Sequence, residues 1–151
     1  MKYFFIVLTV LCSSTVLLAQ STEDSVKTVV KNMFDAMRTG DSVLLKSVFS
    51  PTIVFQSVAV NKEGKAAARN EKPDGFISFV GQQKPGVLDE RIIFESVKID
   101  GPMASVWTPY TFYYNGQFSH CGVNSFQLVR FPEGWKIQYI IDTRRKEGCD
   151  K

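Results

Sequence analysis

Two residues in this chain are suited to moving protons near neutral pH. His120 is the only histidine, and imidazole is the one side chain whose ordinary pKa lies near 7. Asp142 closes the stretch Tyr139-Ile140-Ile141-Asp142. Next to a Trp and a Phe, the neighbours that its strand register gives it, this carboxylate loses water, which lifts its pKa toward the range of a general base. Asn124 adds an amide that can orient a carbonyl. Thr111, Tyr110 and Tyr113 add hydroxyls, and Trp107 adds a ring on which a flat molecule can stack. Each has a structural alternative. Asp142 can end a strand, bonded to Asn124 or paired with Arg144. His120 can be tied to Thr111 or to a backbone carbonyl. Asn124 can simply satisfy Asp142, Trp107 can be a core ring, and both tyrosines can be strand packing.

Other chemistries lack their residues. Cys121 adjoins His120, but neighbours on a strand point to opposite faces, so they do not form a nucleophile pair. No spacing supports a Ser–His–acid arrangement. One histidine and no CxxC give no zinc site. No Gly-rich loop of the dinucleotide or Walker type occurs, so neither a metal nor a cofactor is expected. The 18 Lys plus Arg nearly balance the 15 Asp plus Glu, for a net charge of +3. Without a basic stripe, that is no footprint for nucleic acid. Arg144-Arg145-Lys146 reads as a solvated tail, with contact to an anionic ligand as its alternative.

The first residues read as a targeting segment. Lys2 precedes the largely apolar run Phe4–Leu18, and Ala19 stands before Gln20. This is the layout of a secretory signal peptide cleaved after Ala19. The run is too short for a stable membrane span. The expectation is an exported domain, residues 20–151. Two cysteines then remain. Either Cys121 and Cys149 form a bridge, as an oxidising compartment allows, or Cys121 is a buried thiol and Cys149 lies in a loose tail.

The elements that must position these residues follow from periodicity. Ser21-Thr22-Glu23-Asp24 caps a helix. Val26, Val29, Val30, Met33, Phe34 and Met37 then recur on one face until Gly40. This predicts helices over Thr22–Thr39 and, after the cap at Asp41, over Ser42–Phe49, ended by Pro51. Strands are predicted over Thr52–Val60 and Lys65–Arg69, and a third helix over Pro73–Val80 with Pro at its start. Four long strands follow, Arg91–Ile99, Ala104–Tyr114, Gln117–Phe131 and Trp135–Thr143. Asn115-Gly116 reads as a two-residue hairpin turn, and Pro132-Glu133-Gly134 as a three-residue one. At 44% hydrophobic and 13% aromatic residues, the chain can fill a core and also line a cavity.

The two turns predict which side chains meet. The first sets Thr111 opposite His120 and Trp107 opposite Asn124. The second sets Phe126 opposite Ile140 and Asn124 opposite Asp142. Trp107, Asn124 and Asp142 then form one cross-strand row, with His120, Thr111, Tyr113, Phe126 and Ile140 on the same face. This mixture of apolar and convergent polar groups suits a pocket. The other face, with Tyr110, Phe112 and Cys121, suits packing against a second subunit.

Helices first and then a long antiparallel sheet indicate an α+β fold. The order helix, helix, strand pair, helix and four strands resembles the NTF2-like superfamily, which includes SnoaL-like polyketide cyclases and ketosteroid isomerase. Gly134-Trp135-Lys136-Ile137 is similar to the last strand common in such domains. His120-Cys121-Gly122-Val123-Asn124-Ser125-Phe126 and Ile141-Asp142-Thr143-Arg144-Arg145 resemble small secreted members from Bacteroidetes-type bacteria. The resemblance implies a cone, with three helices packed in a curved, mainly antiparallel sheet, and a homodimer. It does not imply one activity, because a fold hosts many.

Three functions remain open. One is a binder of a small, partly apolar molecule. Another is a lyase or isomerase using Asp142 and His120 for acid–base work. The third is an interaction protein whose cavity is filled by side chains. An enzyme requires Asp142 and His120 to reach one ligand atom. In a binder the cavity is open while those two point apart or into structural bonds.

Overall fold

The computed structural model describes residues 21–149, so the export signal read over residues 1–19 lies outside the described residues. The elements are α1 (Thr22–Thr39), α2 (Ser42–Ser47), β1 (Phe49–Val60), β2 (Ala66–Glu71), α3 (Pro73–Gly81), β3 (Leu88–Ile92), β4 (Ser96–Asp100), β5 (Met103–Tyr114), β6 (Gln117–Phe131) and β7 (Gly134–Arg145). The architecture is mixed α+β, as expected.

The Ser21 hydroxyl caps α1 by accepting from the Asp24 N–H, and Gly40 stops it in a left-handed conformation (φ 71°). The apolar stripe of α1 is buried at Val26, Val30, Met33, Phe34 and Met37. It packs on β3 and β7. Helix α2 ends two residues before the expected Phe49. The Val48 carbonyl instead accepts from the Ile137 N–H, and Phe49 pairs with Ile137. Sheet pairing to a distant strand outweighs local helix propensity here. Pro51, expected only to end the helix, lies inside β1 where the pairing to β7 is interrupted between Phe49 and Val54. That interruption is where a residue without an N–H is tolerated.

The strands form one sheet in the order β2-β1-β7-β6-β5-β3, with β4 also on β5. All neighbours are antiparallel except β1 and β7, which run parallel. The single strand expected over Arg91–Ile99 is two, β3 and β4, both on β5. Pro109 causes the break. Its carbonyl accepts from the Ile93 N–H, and the donor that should point the same way is missing in proline.

Two bulges decide the faces. Asn115 and Gly116 both have positive φ (53° and 76°), and Tyr114 pairs with Gln117, as the two-residue turn requires. Phe112 then pairs with His120 and Tyr113 with Phe118, which leaves Ser119 as an extra residue. Every pairing beyond it moves by one. Thr108, not Trp107, faces Asn124, and Thr111 faces Cys121. Trp107, Thr111 and Tyr113 therefore stand on the outer face, and Tyr110 and Phe112 on the inner face. This reverses the expectation for all five. The second turn has two residues instead of three, since Phe131 pairs with Gly134. Gln138 is the extra residue of a compensating bulge, so Phe126 still faces Ile140 and Asn124 still faces Asp142. The Gln138 side chain reaches β1, accepting from the Ser50 hydroxyl and donating to the Thr52 carbonyl.

Cys121 and Cys149 are joined by a disulfide, which holds the tail against the outer face. No helix among the described residues is long and apolar enough to cross a membrane.

Candidate functional site

The inner face of the sheet, α1 and α3 enclose a half-open cavity of about 660 Å³. Its apolar wall includes Met37 of α1, Phe55 of β1, Phe76 of α3, Leu88 of β3 and Phe112 of β5. Its polar end is built from inward-facing residues of five strands, β1, β3, β5, β6 and β7. Ser57, Glu90, Tyr110, Asn124 and Asp142 meet there, with His120 beside them.

Asp142 is buried and doubly engaged. It accepts from the Ser57 hydroxyl and, at 2.7 Å, from Arg144 Nε. Arg144 Nη2 also donates to Ser57 Oγ at 3.1 Å. The carboxylate, the guanidinium and the hydroxyl thus form a closed set. Asn124 does not serve Asp142. Its amide Nδ2 donates to Glu90 Oε1 at 2.8 Å.

Glu90 is the electrostatic exception. Burial pushes its carboxyl up to about 7, the Asp142 charge adds to the rise, and the Asn124 bond and Arg144 only partly oppose it. It makes no ion pair among the described residues. His120 moves the other way. Burial and the nearby Arg144 charge lower its pKa, so the ring is neutral at pH 7. Its Nδ1 lies 3.0 Å from Ser119 Oγ, and its ring stands edge-on to Tyr110 at 5.7 Å and tilted to Phe112 at 5.1 Å. Burial raises the Tyr110 phenol, as do the charges of Glu90 and Asp142. That hydroxyl donates to the Thr143 carbonyl at 2.9 Å. The Tyr110 ring can lie across the sheet because Gly122 has no side chain. A Cβ there would stand 2.8 Å from Tyr110 Cε1 and 1.8 Å from the Thr143 oxygen.

Of the residues read from sequence, Asp142, His120, Asn124 and Ile140 line the cavity. Phe126 lies on the same face but deeper, fully buried and edge-on to Phe34. It is a core ring and not a cavity wall. Trp107 is 45% exposed, on the far side of the sheet from Asp142, and the expected row of indole, amide and carboxyl does not form. Tyr113 lies under the Arg91 guanidinium on that same outer face. Thr111 is also there, so it cannot serve His120 from across the hairpin. The Ser119 bulge is the cause in each case.

Sequence reasoning missed Glu90, Ser57 and the inward placement of Tyr110. Glu90 had a signal. Leu88, Glu90 and Ile92 alternate, which extends the strand back from Arg91 and puts a carboxylate between two apolar inward positions. Ser57 had none, because a serine alternating with Phe55 reads as ordinary strand. No group of His, Cys, Asp and Glu among the described residues could hold a metal ion.

No family model matches this chain, and no curated protein does. Solved structures do. A domain of unknown function with a cystatin-like fold from Nostoc punctiforme aligns with TM-score 0.64 at 18% identity, over 84% of this chain and 79% of that one. An NTF2-like protein of unknown function from Shewanella baltica aligns with TM-score 0.61 at 13% identity, over 82% and 93%. An NTF2-like family protein from Streptomyces avermitilis, provisionally named a dehydratase, aligns with TM-score 0.59 at 15% identity, over 82% and 95%. At these identities the likeness is one of fold, and the chain has the cystatin-like fold of NTF2-like proteins.

Proposed function

We propose that this chain is an exported protein that binds a small, partly apolar molecule in its cavity. One observation carries the reading: a half-open space of about 660 Å³ with an apolar wall and a polar end, which is the general form of a small-molecule site. The bonds of Asp142 and His120 support binding over acid–base work by that pair. Asp142 is occupied by Ser57 and Arg144, and His120 is a neutral ring beside Ser119. Export is supported by the Cys121–Cys149 bridge, a bond that persists in oxidising compartments. Native mass spectrometry of the protein recovered from its host tests both parts. The expected spectrum shows a chain beginning at Gln20 with a small molecule retained, lost on Phe76→Asp. A chain that keeps residues 1–19 overturns export, and a ligand-free wild type that takes up no apolar probe overturns binding.

We also propose a homodimer through the outer face. Val54, Met103 and Trp107 are exposed there at 43%, 51% and 45%, and apolar surface of this kind is what subunit contacts cover. Light scattering should give twice the chain mass, falling to one chain mass in Trp107→Glu. A wild-type monomer at high concentration overturns the interface.

A second reading, a lyase or isomerase, is favoured by Glu90. Its carboxyl, near 7 at the cavity, is poised to take or give a proton at physiological pH, with Asn124 orienting it.

A further inference from the structure

We infer that the molecule taken up by this cavity is an organic cation, a protonated amine on an apolar body, whose charge meets Glu90 among the aromatic rings. The inference rests on the binding reading above and adds the ligand's charge.

Three carboxyl groups line the cavity, Glu71, Glu90 and Asp142, against two cations, Arg144 and Lys72. Arg144 is committed to Asp142 and Ser57. Glu71 and Lys72 are exposed residues next to α3, where water serves them. Among the described residues, Glu90 is the one carboxyl at the inner end without a cation, and a neutral amide is the hydrogen-bond partner that reaches it. The other groups facing it are no better placed. His120 from β6 is neutral, and the Tyr110 hydroxyl from β5 donates its hydrogen bond to the Thr143 carbonyl. On the α1 side, Arg38 pairs with Asp35, and Lys31 lies 5.9 Å over the Phe94 ring. Within β3, Arg91 pairs with Asp89. An uncompensated carboxyl at the end of an apolar cavity is stable only when it is protonated or when a cation arrives from outside.

The walls suit that cation. Phe55, Phe76, Phe79, Tyr110 and Phe112 border the same space, and the faces of such rings attract ammonium groups once water is displaced. A neutral ligand would use the rings but leave Glu90 to hold a proton. A protonated amine uses both, and as it binds, Glu90 ionises and releases its proton to the solvent.

The probes are 4-phenylbutylamine and its neutral counterpart 4-phenylbutanol, titrated calorimetrically against the full chain. The amine should bind more tightly as pH rises. Its affinity should gain about thirtyfold between pH 5.5 and 8, as expected for a carboxyl near 7, while the alcohol stays level. Glu90→Gln should cost the amine roughly tenfold or more at pH 8, remove the pH dependence and spare the alcohol. Its circular dichroism spectrum reports that it is folded. Equal, pH-independent binding of both compounds overturns the cation and leaves the binding reading standing. A pH dependence that survives Glu90→Gln but vanishes in Asp142→Asn overturns Glu90 as the partner. If neither compound binds folded protein, the binding reading fails and this inference with it.

Discussion

A carboxyl that leaves water without gaining a cation becomes a weaker acid, and the protein is destabilised wherever pH forces it to ionise. Glu90 is in that position. Its carboxyl has an ordinary value of 4.5 and stands at about 7 in the folded chain. Between those two values the folded state holds a proton that the unfolded state has released. Stability from this group is complete below about 4.5 and lost as pH rises through about 7. Glu90→Gln keeps the oxygen that accepts from Asn124 and removes the ionisation. Urea unfolding should therefore show the variant gaining on wild type from pH 5 to pH 8, by on the order of 2 kcal/mol. Parallel curves would mean that Glu90 is not the titrating group. Asp142 has a different setting, held by a hydroxyl and a guanidinium, and its burial is already compensated.

At the scale of elements, the site depends on how closely β5, β6 and β7 approach one another. Gly122 is a point where an added side chain would not fit. It lies opposite Tyr110 on one side and Arg144 on the other, with the Tyr110 ring across it. Gly122→Ala should lower the urea midpoint by the equivalent of about 3 kcal/mol or more, the upper end of overpacking costs, because a backbone oxygen cannot turn aside as a side chain can. Adding Tyr110→Ala should not restore it, since the Thr143 oxygen at 1.8 Å remains the nearer obstacle. Recovery in the double variant would place the strain in the ring and not in the strand. The bulges act at this scale as well. Ser119 turns one strand over relative to the next, so Tyr110 and Phe112 face the cavity while Trp107 faces out. Gln138 offsets the shorter turn and keeps Asp142 inside.

For the molecule as a whole, one sheet has two unlike faces, an inner one that lines the cavity and an outer one with exposed apolar side chains. The disulfide joins the end of the chain to β6 on the outer side, closing 28 residues. Reduction should lower the unfolding free energy by about 2–4 kcal/mol, the usual range for a bridge of this kind. Thermal melts with and without reductant measure it, with Cys149→Ser matching the reduced protein. Identical melts would show that the tail is not bridged in solution. The cavity lies across the sheet from this bond, so 4-phenylbutylamine uptake by the folded reduced protein should be unchanged.

How much of this was legible beforehand depends on the range of the interactions involved. Helix α1 was readable to its last residue, because its cap, stripe and stop all act within a few positions of one another. The hairpin at Asn115-Gly116 was readable for the same reason. Asn124 and Asp142 share a face as expected, but only because the Gln138 bulge offsets a turn one residue shorter than the one read from the sequence. Other features came from partners far apart in the chain. The Ser57–Asp142 bond spans 85 residues and the Asn124–Glu90 bond 34, and the parallel pairing of β1 with β7 shortened α2. A bulge leaves no reliable mark in the residues it displaces, since Ser119 and Gln138 would fit an unbroken strand equally well. Each is fixed by the competition among strands for one register, in which one extra residue turns every later side chain to the other face. The chain by itself therefore determined which chemical groups were available and which short segments would form. Only the packed sheet decided that Glu90 and Tyr110 would share the cavity with Asp142 and that Trp107 would not.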